Sequence, residues 1–156
     1  MELVLAIAIF AIGSIVAGNM IIDATTATRI DVDKAEAVQI AREGIEAVTS
    51  IRDSATFAST TDPTSFSVLS IASPKGLTAG AGGYGWTFSS SPFDVVDTKF
   101  NRSIYVTLTP ASAPFNSTSY AVVTSTVSWN NARNATDTVS LSTILTNWRF
   151  ARPAGM

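Results

Sequence analysis

The stretch from residue 3 to residue 22 constrains this chain more than any other. It reads Leu3-Val-Leu-Ala-Ile-Ala-Ile-Phe-Ala-Ile-Gly-Ser-Ile-Val-Ala-Gly-Asn-Met-Ile-Ile22, with only Ser14 and Asn19 polar and nothing charged. At about 1.5 Å per residue, a helix of that length crosses a hydrocarbon core about 30 Å thick. A helix apolar all round must be buried in a membrane or a large assembly. One carboxylate, Glu2, stands at its N-terminal end. A secretory signal peptide has a basic N-region, a shorter apolar core and a small-residue cleavage site. This run is preceded by an acid, has no Lys or Arg before it, and is too long. A plain single-pass anchor is the stronger alternative. Against it, Glu2 is costly if it faces lipid, and the first cation, Arg29, lies well beyond the run, so the positive-inside signal is poor.

Beyond Ile22 the pattern changes. Residues 23–29 are polar without proline, and residues 30–53 read as a strong amphipathic helix. Val38, Ala41, Ile45 and Val48 fall on one stripe, with Ala37, Ile40, Gly44, Ala47 and Ile51 beside it. Asp33, Lys34, Glu36, Arg42, Glu43, Glu46, Arg52 and Asp53 decorate much of the remainder. The expectation is one helix from near residue 2 to about residue 53, roughly 75 Å long if unbroken. Its second half needs a domain to lean on.

From Ser54 the composition switches to Ser and Thr with few charges. Residues 66–72 read as a strand, 76–85 as a glycine-rich loop, and Trp86 and Phe88 alternate before a turn at Pro92 and Asp94. Residues 102–109 and 120–129 are β runs rich in branched and aromatic side chains. Residues 130–136 are the turn into a returning strand over 138–148, with Val139, Leu141, Thr143 and Leu145 on one face. The expected fold is α+β: a long N-terminal helix packed under an antiparallel head of about four strands, with Val38, Ile45 and Val48 beneath it. The expected organisation is a hydrophobic membrane or filament-core helix over 1–22, its amphipathic continuation over 23–53, and a Ser/Thr-rich β head over 54–156.

Composition narrows the chemistry. The 156 residues contain no Cys and no His. There is then no disulfide framework or thiolate metal site, and the commonest metal ligand and general base is missing. A net charge of −2 lacks the cationic excess that backbone-driven nucleic-acid binding uses. Gly80-Ala-Gly-Gly-Tyr-Gly85 lacks the helix context and the Lys of a phosphate loop. Asp94, Asp97 and Asp137 lack calcium-loop spacing and read as turn residues, and Asp31 and Asp33 read as solvated helix residues. Without His a serine triad cannot be built. No enzyme, cofactor or metal is expected.

Glu2-Leu-Val-Leu-Ala-Ile-Ala-Ile-Phe-Ala-Ile-Gly13 resembles the N-terminal helix of type IV pilins, especially the minor-pilin class. Ala41-Arg-Glu-Gly-Ile-Glu-Ala-Val-Thr-Ser-Ile-Arg-Asp53 is similar to a segment recurrent in bacterial prepilin-type proteins, and Leu145-Thr-Asn-Trp-Arg149 also resembles such chains. The resemblance covers the helix well and the head only at its end. It implies a pilin-like fold, a short basic leader removed by a prepilin peptidase, and methylation of the new N-terminal amine. Because the family's acid is the fifth residue after the cut, matching it to Glu2 implies three residues upstream of Met1. It further implies residence in the inner membrane at a pilus assembly platform, then polymerisation with copies of itself into a cell-surface filament. The expected assembly residues are Glu2, Phe10, Gly13 and Gly18.

The chemistry of Glu2 has its own logic. An ionised carboxylate in hydrocarbon costs several kcal/mol unless paired. Free N–H groups at a helix N-terminus, or a neighbour's terminal amine, are its natural partners. Glu2 is therefore expected to set the axial register between subunits; its other reading is a carboxylate at the interface capping its own helix. Gly13, Ser14, Gly18 and Asn19 interrupt the apolar helix, and lost helical hydrogen bonds are expected between residues 13 and 26 in the assembled state. The spacing of Gly13 and Gly18 does not fit a Gly-x-x-x-Gly pair. Asn101, Asn116 and Asn134 head N-glycosylation triplets, and Trp86, Trp129 and Trp148 read as core or interface residues. The function expected is structural. The alternatives are a minor pilin or pseudopilin of a secretion or DNA-uptake machine, a monomeric membrane-anchored β-domain binding module, and an archaeal-type pilin, against which Glu2 argues.

Overall fold

The structure, a computed structural model, describes residues 2–58, 69–80, 85–109 and 120–146. Helix α1 spans Glu2–Ala58. It contains no proline and at 1.5 Å per residue is about 85 Å long. Hydroxyls along it bond back to the preceding turn. Ser14 Oγ donates to the Phe10 carbonyl, and Thr26 and Thr28 do the same to Ile22 and Ala24, each at 2.9 Å. These local bonds let polar side chains sit on an apolar rod without seeking water.

The head holds two antiparallel sheets. Strands β1 (Leu77–Ala79) and β2 (Trp86–Phe88) form the smaller. Strands β3 (Asp94–Val96), β4 (Phe100–Thr109), β5 (Tyr120–Asn130) and β6 (Thr136–Thr146) form the larger, in that order. Lys75 exchanges two backbone hydrogen bonds with Ile104, at 2.7 and 2.8 Å, and so prolongs the edge that β3 begins. Asp97 and Thr98, at φ 49° and 58°, carry the two positive φ values of a type I′ turn between β3 and β4. Asn134, at φ 57°, closes the β5–β6 turn, where Asn131 Oδ1 accepts from Arg133 N and Ala135 N.

Alternation along β4, β5 and β6 sends one set of side chains toward α1. Towards the C-terminal half of the helix contact, Ala47, Val48 and Ile51 pack with Leu69, Leu77, Ile104, Val106, Ala121, Val123 and Leu145. Nearer the stalk, Ala37, Ile40 and Ala41 pack with Phe100, Val127 and Trp129. The Phe100 and Trp129 rings meet at 5.7 Å, tilted 54°. The α+β architecture expected from sequence is the one observed, with the long helix under antiparallel strands.

Several local expectations need correction. Val38 is 42% exposed and Ile45 only half-buried. The buried stripe is Ala37, Ile40, Ala41, Gly44, Ala47, Val48 and Ile51. The close approach at Gly44 centres the contact there, with Ala37, Ala41 and Ala47 as well as Ile40, Val48 and Ile51 turned to the sheet, and Val38 and Ile45 fall to the flanks. The described part of the expected strand at 66–72 is not a strand. Leu69 is fully buried there, serving as a core anchor beneath a turning backbone. Two short strands lie where turns were expected: β1 inside the glycine-rich stretch and β3 beginning at Asp94. Arg42 and Glu46 form an exposed i,i+4 pair at 3.5 Å, worth a few tenths of a kcal/mol, on the order of 0.3–0.5. Asn116 and Trp148 lie outside the described residues.

Candidate functional site

The first half of α1 stands clear of the head. Its large apolar side chains between Leu3 and Ile22 are all more than half exposed, and Phe10 is the most exposed at 76%. The most apolar 18-residue window has a mean hydropathy of 2.3 and none of it is buried, so by length and composition it can cross a membrane. Glu2 lies in the first turn, where the helix dipole favours a carboxylate. An added Cβ at Gly13 or at Gly18 would meet nothing within 4 Å. Nothing among the described residues of the single chain therefore requires glycine at either position. The helix is continuous through both.

What holds this rod to the head is a tight, partly charged lock. At Gly44 an added Cβ would stand 2.6 Å from Ser125 Oγ, 2.9 Å from Ile104 Cδ1 and 3.1 Å from Arg102 Cδ. Helix and sheet thus meet almost backbone to backbone there. Ser125 Oγ is buried in this contact with no hydrogen-bond partner among the described residues.

Arg102 lies beside the same contact and is only 2% exposed. Its Nη2 donates to Asp94 Oδ2 at 2.8 Å, its Nη1 is 3.6 Å from Glu43 Oε1 on the helix, and its guanidinium stacks on Trp86 at 5.5 Å. Asp94 Oδ1 also accepts the Leu77 N–H at 2.8 Å. One carboxylate thereby ties β1, β3 and β4, and one guanidinium ties that group to α1. The sequence reading missed this cluster. The available signal was Arg102 standing at an inward position of β4, in step with Ile104 and Val106.

A second brace sits where rod meets head. Lys99, in the β3–β4 turn, forms an ion pair with Asp33 of α1, and its ammonium lies 5.3 Å from the Phe100 ring centre. Asp33, expected to be solvated, is an ion-pair partner instead. Asp94 is a strand residue, and Asp137 accepts from Asn131 Nδ2 at 3.1 Å. No group of acidic side chains able to hold a metal occurs among the described residues. Asn101 on β4 and Asn134 in the β5–β6 turn are both exposed, and both lie at the stalk end of the sheet, level with Ser128 and Asn130. Trp129 is a core residue and Trp86 a half-buried partner of Arg102.

The arrangement is mechanical: a bare apolar rod continuous with a helix that is braced against the head. Comparison with protein-family models, with curated proteins and with solved structures finds no match.

Proposed function

We propose that this chain is a structural subunit of a type IV pilus-like extracellular filament, held in the cytoplasmic membrane before assembly. One observation carries the reading. The rod from residue 3 to residue 22 is apolar all round and exposed, yet continuous with a helix whose other half is locked to the head. The head cannot slide down to cover it. Such a rod is sheltered first by lipid and then by the rods of sister subunits. Glu2 supports the second step: in hydrocarbon its carboxylate needs a partner, and the terminal amine of a neighbour supplies one while fixing the axial register.

The test is microscopy of sheared surface material with mass spectrometry of its main band. Filaments containing this chain support the reading. Cross-linking of intact cells that gives no ladder, with no filament containing the chain, overturns it in favour of a membrane-anchored β module that stays single. Low abundance within filaments built mostly of another chain marks a minor subunit.

A further inference from the structure

Among the described residues, the strands of the four-stranded sheet present no charged side chain on the face turned away from α1. On β4 it shows Asn101, Ser103, Tyr105 and Thr107, and on β5 the even-numbered residues from Tyr120 to Asn130. On β6 it shows Thr138, Ser140, Ser142 and Ile144. The chain has 22 acidic and basic residues by sequence (10 Lys and Arg, 12 Asp and Glu), and those of the described head lie off this face: Lys75 reaches the Ser90 carbonyl and Arg133 stands in the β5–β6 turn. Arg102 and Asp94 point inward, Asp97 and Lys99 sit in a turn, and Asp137 is held by Asn131.

We propose that this face binds a neutral polysaccharide. Thr124 and Ser142, and next to them Thr126 and Ser140, are hydroxyl pairs at 2.9 Å across β5 and β6. Each pair fixes its oxygens in a row and leaves donor and acceptor capacity toward solvent. Sugar hydroxyls, which are both donors and acceptors, fit such rows in either direction. Successive outward residues stand about 6.8 Å apart along a strand and about 4.8 Å apart between strands, a flat hydroxyl lattice. Tyr105, 46% exposed beside Thr124, and Tyr120, 38% exposed on β5, add aromatic rings for the C–H faces of pyranoses.

Charge matching selects this occupant. A polyanion finds no cation among the described residues of the face. A second copy would press the hydroxyls of Thr124, Thr126, Ser140 and Ser142 against their like, since the apolar residues of this face, Tyr120, Val122 and Ile144, gather at the end of the sheet away from the stalk. The inference does not rest on polymerisation, because the face is complete on one chain.

The experiment uses the full chain in a sugar-free polyoxyethylene detergent, sedimented with cellulose, chitin or starch granules and, as the acidic counterpart, calcium alginate beads. Retention on at least one neutral solid, unchanged in 1 M NaCl, is expected. Tyr105→Ala and Ser142→Asp are each expected to lower the bound fraction at least fivefold with unchanged thermal unfolding, whereas Glu46→Gln leaves it unchanged. Thr138→Lys serves as a second face variant if either of the first two unfolds. Retention on none of the neutral solids, elution by salt, retention on alginate alone, or wild-type binding by the folded face variants overturns the proposal. So does a dimer of the detergent-solubilised chain that Ser142→Asp abolishes, since the occupant would then be a second copy.

Discussion

A methyl group placed on Gly44 of the helix would stand 2.6 Å from the hydroxyl oxygen of Ser125 on the central strand β5. The glycine is there for proximity and not for backbone freedom, since it lies within an unbroken helix. In helix propensity alone, Gly costs about 1 kcal/mol relative to Ala. The close approach must offset that cost by bringing Ala41, Ala47 and Val48 into contact with the sheet.

Gly44→Ala is therefore expected to destabilise the head by about 1–3 kcal/mol through overpacking, despite the better helix former. Tryptophan fluorescence during denaturant unfolding in micelles reads this out, because Trp129 is in the core. Adding Ser125→Ala removes the nearest atom but leaves Ile104 Cδ1 at 2.9 Å, so recovery is expected to be partial. A Gly44→Ala chain as stable as wild type would show that the helix can shift away from the sheet at no cost.

The Arg102 cluster yields an asymmetric pair of outcomes. Asp94→Ala leaves a buried guanidinium with the half-exposed Glu43 as its one ion-pair partner among the described residues, beside the Trp86 ring, and frees the Leu77 N–H. The expected loss is about 3–5 kcal/mol. Arg102→Met removes the charge and keeps much of the volume, so its loss is expected to be clearly smaller. Equal losses from the two variants would contradict the assignment of Asp94 as the common tie. The same unfolding measurement compares them.

Val38 and Val48 separate the observed helix rotation from the one expected by periodicity. Val38→Lys, at a position 42% exposed, is expected to change stability by less than about 0.5 kcal/mol. Val48→Lys, fully buried, is expected to prevent cooperative folding of the head or to cost several kcal/mol, on the order of 3 or more. Near-ultraviolet circular dichroism of the two full chains distinguishes them.

These residues also show what a sequence can reveal here. The helix was legible because twenty uncharged positions and a 3.6 period leave few alternatives, and β4–β6 were legible because branched residues alternate along them. The rotation of the helix was not. Two stripes one residue apart, through Val38 or through Ala37, are almost equally apolar, and hydropathy ranks valine above alanine. The close approach of helix and sheet at Gly44 goes with the Ala37 stripe. Strands β1 and β3 span three residues each, too short for periodicity, and are fixed by the Asp94 carboxylate bridging them. Of the assembly residues, only the exposure of the apolar rod can be read from one chain. Side chains added at Gly13 and Gly18 would touch nothing among its described residues.

That lack of contact separates assembly from folding. Alanine at Gly13 and Gly18 meets no atom of the described residues within 4 Å, and each substitution favours the helix by about 1 kcal/mol. In the isolated chain the double variant is expected to be as helical as wild type or more so, by far-ultraviolet circular dichroism in micelles. In cells the filament reading expects the reverse, since closely packed or unwound rods need glycine where a lone rod does not. Sheared filament yield is expected to fall several-fold while membrane levels of the chain hold. Glu2→Ala is expected to behave likewise, with an intact head and few filaments. Normal yield from both variants would remove residues 2, 13 and 18 from the assembly mechanism and leave the exposed rod as a membrane anchor.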